Sequence, residues 1–211
     1  MSLSRFDEIA GLFDRVTDAP IHRRMRRATL FPLGEVAGRT VLDLGAGPGG
    51  LAADLADRGA WTVAVDGAPE MLRRARTRLP PAVHLVRADA HCLPFRDASL
   101  DHAVGMLVLH LLADPVPALR ELRRVVHPGG RLAFLTQSDG YDVGAIGRLR
   151  EPLDSTEREF LEGCARSAAS HPLRDRGAWT AVFRAAGLTP PTISTVLPDV
   201  VWLLFAPNEP A

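Results

Sequence analysis

Val41-Leu-Asp-Leu-Gly-Ala-Gly-Pro-Gly-Gly-Leu-Ala52 sets a short apolar run, an aspartate and a glycine-rich turn in immediate succession. Thr40 to Leu44 reads as a strand buried on both faces, because its apolar residues run on without alternation. Gly49 to Arg58 reads as the following helix, and Gly59 stops it. A strand, a tight turn and a helix make the first half of a βαβ unit.

Working outward, the alternation continues. Trp61 to Val65 is a strand, Pro69 to Leu79 a helix with Met71, Leu72, Ala75 and Leu79 on one face, and Val83 to Val86 a strand. Leu100 to Val104 is a fourth strand. Pro115 to Val126 is a helix that His127-Pro-Gly-Gly130 is expected to end, and Arg131 to Thr136 is a fifth strand. Strands that alternate with helices predict an α/β fold with a parallel sheet covered on both faces. Ser138 to Leu173 is less regular and suits two or three short helices, and Trp179 to Ala186 reads as a helix. Ile193 to Leu197 and Val200 to Phe205 are parted only by Pro198-Asp199 and its neighbours, too little for a crossover helix, so they form an antiparallel hairpin. Upstream, Leu3 to Leu33 reads as helices, with Phe6, Ile9, Ala10 and Phe13 as an apolar stripe and Arg23, Arg24, Arg26 and Arg27 as a charged one. The expected organisation is a helical cap over residues 1–38 and an α/β domain over 39–211 with a helical insertion at 138–173.

Composition narrows the chemistry. The 211 residues suit one ordinary domain, at 46% hydrophobic and 24% charged. The formal net charge is zero, which gives no general attraction to nucleic acid or an anionic membrane. Lysine is absent, so a Schiff-base mechanism is excluded. Cys92 and Cys164 stand in no metal-ligand spacing, and no metal is expected. No charged-then-apolar leader and no membrane-length apolar run is visible, so a cytoplasmic protein is expected.

Asp43, Asp66 and Asp89 recur at even spacing, each at or just past a strand end and one βα unit apart. Parallel strands bring their carboxyl ends to one edge, where open α/β sheets bind ligands. A lone aspartate there commonly caps the next helix; three in register beside a glycine turn point to a site. Gly45, Gly47 and Gly50 satisfy a loose GxGxxG, a weak signal shared by nucleotide-binding folds. The discriminating residue is Asp43. A carboxylate so near the turn repels a pyrophosphate and welcomes an ammonium. S-adenosylmethionine (SAM) offers an ammonium and a sulfonium and no phosphate.

VLDLGAGPGG (41–50) resembles the glycine-rich first motif of the class I SAM-dependent methyltransferases. VAVDGAPEML (63–72) and RADAHCLPF (87–95) resemble the motifs that follow it, and SLDHAVGMLVLHLL (99–112) and ALRELRRVVHPGGRLAFLT (118–136) resemble the strand-four and strand-five segments. The set is most similar to the small-molecule methyltransferases of the ubiquinone/menaquinone C-methylase kind. FDEIAGLFDRV near the N-terminus resembles their cap helix less specifically. The resemblance implies a Rossmann-like seven-stranded sheet of order 3-2-1-4-5-7-6, mostly parallel with an antiparallel last strand and helices on both faces. It implies that Asp43 and the backbone of Gly45, Ala46 and Gly47 hold the methionine part. Asp66 would accept from both ribose hydroxyls, with Gly67 and Met71 nearby. Asp89 would bond the adenine amine, with Ala90 and His91 beside the ring, and Gly105 and Met106 would line the face near the sulfonium. Many relatives carry serine where this chain has Ala68.

The reaction implied is in-line methyl transfer to a small-molecule acceptor, leaving S-adenosylhomocysteine. The donor is already activated, so alignment supplies much of the acceleration. A base is needed only for a poorly ionised hydroxyl or a carbon acid. His110 and Tyr141 are the candidates, with packing roles as the competing readings. Phe13 and the arginines at 23 to 27 are placed to close over the cofactor, although a surface face also suits those arginines. No Asn/Asp-Pro-Pro-aromatic segment follows strand four, against nucleic-acid amino methylation, and no Asp-Asn pair suggests a metal-dependent catechol enzyme. The expected assembly is a monomer or homodimer, and the arginine-, alanine- and proline-rich composition suits a bacterial tailoring enzyme. Two alternatives stay open: a methyltransferase fold with other chemistry or a partner role, and, more remotely, an NAD-dependent oxidoreductase.

Overall fold

A computed structural model of the chain describes residues 3–150, 152–168 and 174–209. Seven strands form one sheet in the order β3-β2-β1-β4-β5-β7-β6. They are β1 (Thr40–Leu44), β2 (Trp61–Asp66), β3 (His84–Arg87), β4 (Leu100–Met106), β5 (Val126–Gln137), β6 (Thr192–Leu197) and β7 (Val201–Pro207). β1 to β5 run parallel; β7 is antiparallel to β5 and to β6. The sequence expectation of order and of the terminal hairpin therefore holds.

Both faces of the sheet are covered. On one lie α5 (Val116–Val125) and α8 (Arg176–Ala185), packed with Leu42, Ala103, Leu132, Phe134 and Leu204. On the other lie α2 (Pro20–Leu30), α3 (Gly50–Asp57) and α4 (Pro69–Arg78), against Val41, Val104, Ala133 and Ala64. Successive strand residues thus bury on opposite faces, which is why β1 reads as a continuous apolar run. α1 (Leu3–Val16) rests on α4 and on α7 (Ser155–Ala168); α6 (Val143–Gly147) precedes α7. Residues 169–173, the end of the expected insertion, lie outside the described residues.

Two expectations need correction. His127-Pro-Gly-Gly130 does not merely end a helix: α5 stops at Val125 and β5 begins at Val126. The strand is held there from across the sheet. Asn208 Nδ2 donates to the Val126 carbonyl at 2.6 Å, and the Asn208 and Gly130 backbones are bonded at 2.7 Å. A β-carbon at Gly130 would run into the Asp101 carbonyl, so the close strand approach demands glycine. The second correction concerns the arginine stripe. Arg23, Arg24 and Arg27 are exposed, but Arg26 is 4% exposed and belongs to the buried stripe of α2 with Ile21, His22 and Met25. Its charge is compensated by Asp54 at 2.8 Å, and Nη1 donates to the Thr17 carbonyl.

Candidate active site

A cavity of about 640 Å³ opens at the carboxyl ends of β1 to β4, within the roughly 300–1,000 Å³ of small-molecule pockets. The sheet order fixes the sequence of groups along its rim: Asp89 after β3, Asp66 at the end of β2, Asp43 in β1, and Met106 at the end of β4.

Asp43 lies 1% exposed beneath this rim, on the α2/α3 face; among the described residues neither of its oxygens has a hydrogen bond of good geometry, though the Ala52 N–H is near enough to pull its pKa down in part. Burial, and then the neighbouring Asp66 carboxylate, push its pKa up to about 8. Such a group is costly unless a cation or donor completes it. Asp66 is the opposite case. Its Oδ2 accepts from Gly47 N at 2.8 Å and its Oδ1 from Ala68 N at 2.8 Å, so the carboxylate is clamped where it lines the cavity. Burial raises its pKa, against the pull of the Ala68, Gly47 and Gly67 N–H groups. Asp89 is an exposed rim residue whose Oδ1 accepts from His91 N at 2.9 Å and faces His91 Nδ1 at 2.7 Å. The His91 amide N–H and then its ring hold the Asp89 pKa down.

The glycine turn is shaped from both sides. Gly45 has φ +68, and a β-carbon there would strike the side chain of Val108. Leu107, itself at φ +59, swings the chain after β4 so that Val108 meets the turn. Gly50 is glycine for a different reason: a β-carbon would press on Thr17 of the N-terminal helical segment and on Arg26.

Asp43, Gly45, Ala46, Gly47, Asp66, Gly67, Met71, Asp89, Ala90, His91 and Met106 all line this one cavity. Gly105, His110 and Tyr141 do not. Gly105 sits inside β4, where a side chain would collide with the Phe134 ring and the Leu44 carbonyl. His110 occupies a 3₁₀ turn, Leu109–Leu111. Three residues per turn set Val108 and Leu111 on the cavity side and direct His110 toward Thr136, Nδ1 to Oγ1 at 3.5 Å. The Tyr141 hydroxyl donates to the Leu161 carbonyl at 2.8 Å, and the residue is 5% exposed in a separate core with Phe160 and Val200.

The cavity also takes residues that sequence reasoning passed over: Phe6, Thr17 and His22, with Leu111 and Leu112 after β4. Phe13 and Arg26 line it as well. The available signal was a histidine and an arginine on an otherwise apolar helical stripe, Ile21-His22 and Met25-Arg26.

A family profile described as "Methyltransferase domain" matches residues 42–134. A demethylmenaquinone methyltransferase from Clavibacter sepedonicus is 39% identical over 197 residues, covering 86% of this chain and 80% of the relative. A malonyl-[acyl-carrier protein] O-methyltransferase from Pseudescherichia vulneris is 37% identical over 145 residues; the match covers 66% of this chain and 57% of that protein, so the chain spans little more than half its length. A crystal structure of a SAM-dependent methyltransferase from Aquifex aeolicus superposes with a TM-score of 0.69 over 98% of each chain at 18% identity, a likeness of fold. With the seven-stranded topology and the carboxylate-lined cavity, these matches place the chain in the class I SAM-dependent methyltransferase family.

Proposed function

We propose that this protein transfers a methyl group from SAM to a small-molecule acceptor. The observation that carries the reading is the pairing of an unpartnered buried carboxylate, Asp43, with an amide-clamped one, Asp66, across a single cavity. The residues present fit the cofactor. The clamped carboxylate of Asp66, lining the cavity, suits vicinal ribose hydroxyls, and Asp43 suits an ammonium. Arg26, which among the described residues commits only Nε and one Nη1 hydrogen, has donors left for a carboxylate. Met71 and Ala90 offer apolar flanks for a base, with Asp89 at its edge. Bound there, the cofactor supplies a methyl on a sulfonium, an already activated electrophile.

The protein's own work is then to align and to dry the site. Leu107, Val108 and Leu111 close one wall and Phe6 and Phe13 another. Residues 1–38 act as a cap: Glu70 N donates to Asp7 at 2.9 Å, and Arg78 bridges Asp14 at 2.8 Å and Asp18 at 2.6 Å. A pyrophosphate cofactor fits poorly, because its charge would face the Asp66 carboxylate and bring no cation to the buried Asp43. The names of the relatives speak for a small acceptor, free or carrier-bound. A cytoplasmic monomer or homodimer without nucleic acid agrees with the neutral charge; among the described residues no helix is long and apolar enough to cross a membrane. Thermal-shift measurements with S-adenosylhomocysteine and NAD test the reading. A stabilisation by the former is expected, and stabilisation by NAD alone would overturn it.

A further inference from the structure

Among the described residues, His22 is the one fully enclosed histidine of the cavity wall. It is 3% exposed, lines the cavity, and makes no hydrogen bond among the described residues; its Nε2 is buried without a partner. Buried polar nitrogens are normally satisfied, so one left open at a ligand cavity points to a ligand group that completes it.

Its position is built. α2 lies over β4 and β5, and the rim order puts β4 at the end of the cavity away from Asp66 and Asp89. His22 therefore stands over the β4 end, with Met106 and Leu107, beyond the part assigned to the nucleoside. The ring packs edge-on against Phe160 of α7 at 4.9 Å, and Phe160 packs edge-on against Phe13 at 4.9 Å, so an aromatic wall backs the imidazole. The insertion also fixes the backbone that carries it. Glu157 Oε1 accepts from Ile21 N at 3.1 Å, while Glu157 and Asp154 cap each other at 2.8 and 2.9 Å. Burial, and then the charge of Arg26, hold the His22 pKa at about 4, so the ring is neutral near pH 7 and one nitrogen carries a free lone pair.

We infer that His22 receives the acceptor's hydroxyl, and that the acceptor is an aromatic alcohol held against Phe6 and Phe13, the phenyl rings that line the cavity. This rests on the methyltransferase reading above. The hydroxyl oxygen attacks the methyl carbon, the carbon–sulfur pair stays on sulfur as a thioether, and the hydroxyl proton passes to the imidazole. One positive charge thereby moves from sulfonium to imidazolium and none is created. A carboxylate acceptor brings no proton and leaves the imidazole lone pair unanswered.

The test uses the full chain with SAM and two probes, 1-naphthol and benzoate, and follows S-adenosylhomocysteine release. His22→Phe keeps the ring packing on Phe160 and removes the nitrogens; His22→Gln keeps a polar end and serves if the phenylalanine variant fails to fold. The expected result is turnover of 1-naphthol but not benzoate, a loss of more than about thirtyfold in kcat/KM in either variant, and S-adenosylhomocysteine affinity within about twofold of the parent. Failure of the parent protein to bind S-adenosylhomocysteine would remove the methyltransferase reading itself. Binding of S-adenosylhomocysteine with naphthol turnover unchanged in the variants, with methylation of benzoate instead, or with no turnover of naphthol, overturns the role of His22 and leaves the cofactor site standing.

Discussion

Asp43 has a measurable cost in the ligand-free protein. Its folded pKa stands at about 8 against an ordinary 3.8, so between those values the folded chain holds a proton that the unfolded chain has released. Stability then falls as pH rises through that window and levels off above it, with a slope of at most about 1.4 kcal/mol per pH unit. His22, with its pKa lowered to about 4, acts with the opposite sign, and its contribution fades out above its ordinary value of 6.5. From about pH 7 to 8 the Asp43 slope therefore outweighs what is left of the His22 effect. Denaturant titrations of the ligand-free protein over that range are expected to show falling stability for the parent and a flatter profile for Asp43→Asn. Parallel profiles would contradict the assignment. Tyr141 gives a contrasting prediction. Losing its bond to the Leu161 carbonyl, Tyr141→Phe should cost on the order of 1 kcal/mol in the same titration and leave S-adenosylhomocysteine affinity unchanged.

At the level of elements, the site is a meeting of the β1–α3 turn with the N-terminal helices. Gly50 shows this best. Its absent β-carbon makes room for Thr17 and Arg26, so Gly50→Ala should lift the helices from the turn, with a stability loss of about 1–3 kcal/mol by overpacking. Weaker cofactor binding should follow, measured by calorimetry. The helices are also tied to α4 by ion pairs. Arg78, at 24% side-chain exposure, bonds Asp14 and Asp18, and that first contact holds the Asp14 pKa down. Such pairs contribute about 0–1 kcal/mol each and weaken with salt. Arg78→Gln should therefore make residues 1–19 more open to limited proteolysis, and high salt should do the same to the parent; equal cleavage rates would count against the clamp.

β1 and the glycine turn were legible because a strand buried on both faces reads as an apolar run, and Asp43, Asp66 and Asp89 mark the ends of the first three strands. The turn after β4 was not. A helical reading of Leu109-His110-Leu111 keeps His110 near the site, whereas the tighter 3₁₀ winding sends Val108 and Leu111 inward and His110 toward Thr136. His22 escaped, and Arg26 could not be told from its neighbours, for a related reason: in sequence a charged cluster on a helix also suits a solvated face, and only Asp54 and Thr17, brought in by the fold, single out Arg26 as the buried one.

Taken as a whole molecule, the sheet order does the functional work. Placing β3, β2, β1 and β4 side by side converts evenly spaced aspartates into a line of carboxylates that ends at Met106, with an aromatic wall from α1 and α7 behind that end. Gly105 belongs to this scale too: it resembles a cofactor glycine in sequence, yet its smallness serves strand packing against Phe134. The insertion likewise contributes to the site from a distance, through Glu157 on the first turn of α2. The most direct test of the cofactor site is calorimetric titration of SAM into the parent protein and Asp66→Ala, with NAD as the control. The carboxylate clamp predicts binding of SAM by the parent, a loss of more than about tenfold in Asp66→Ala, and no binding of NAD. Equal affinity in parent and variant, or binding of NAD in place of SAM, would contradict it.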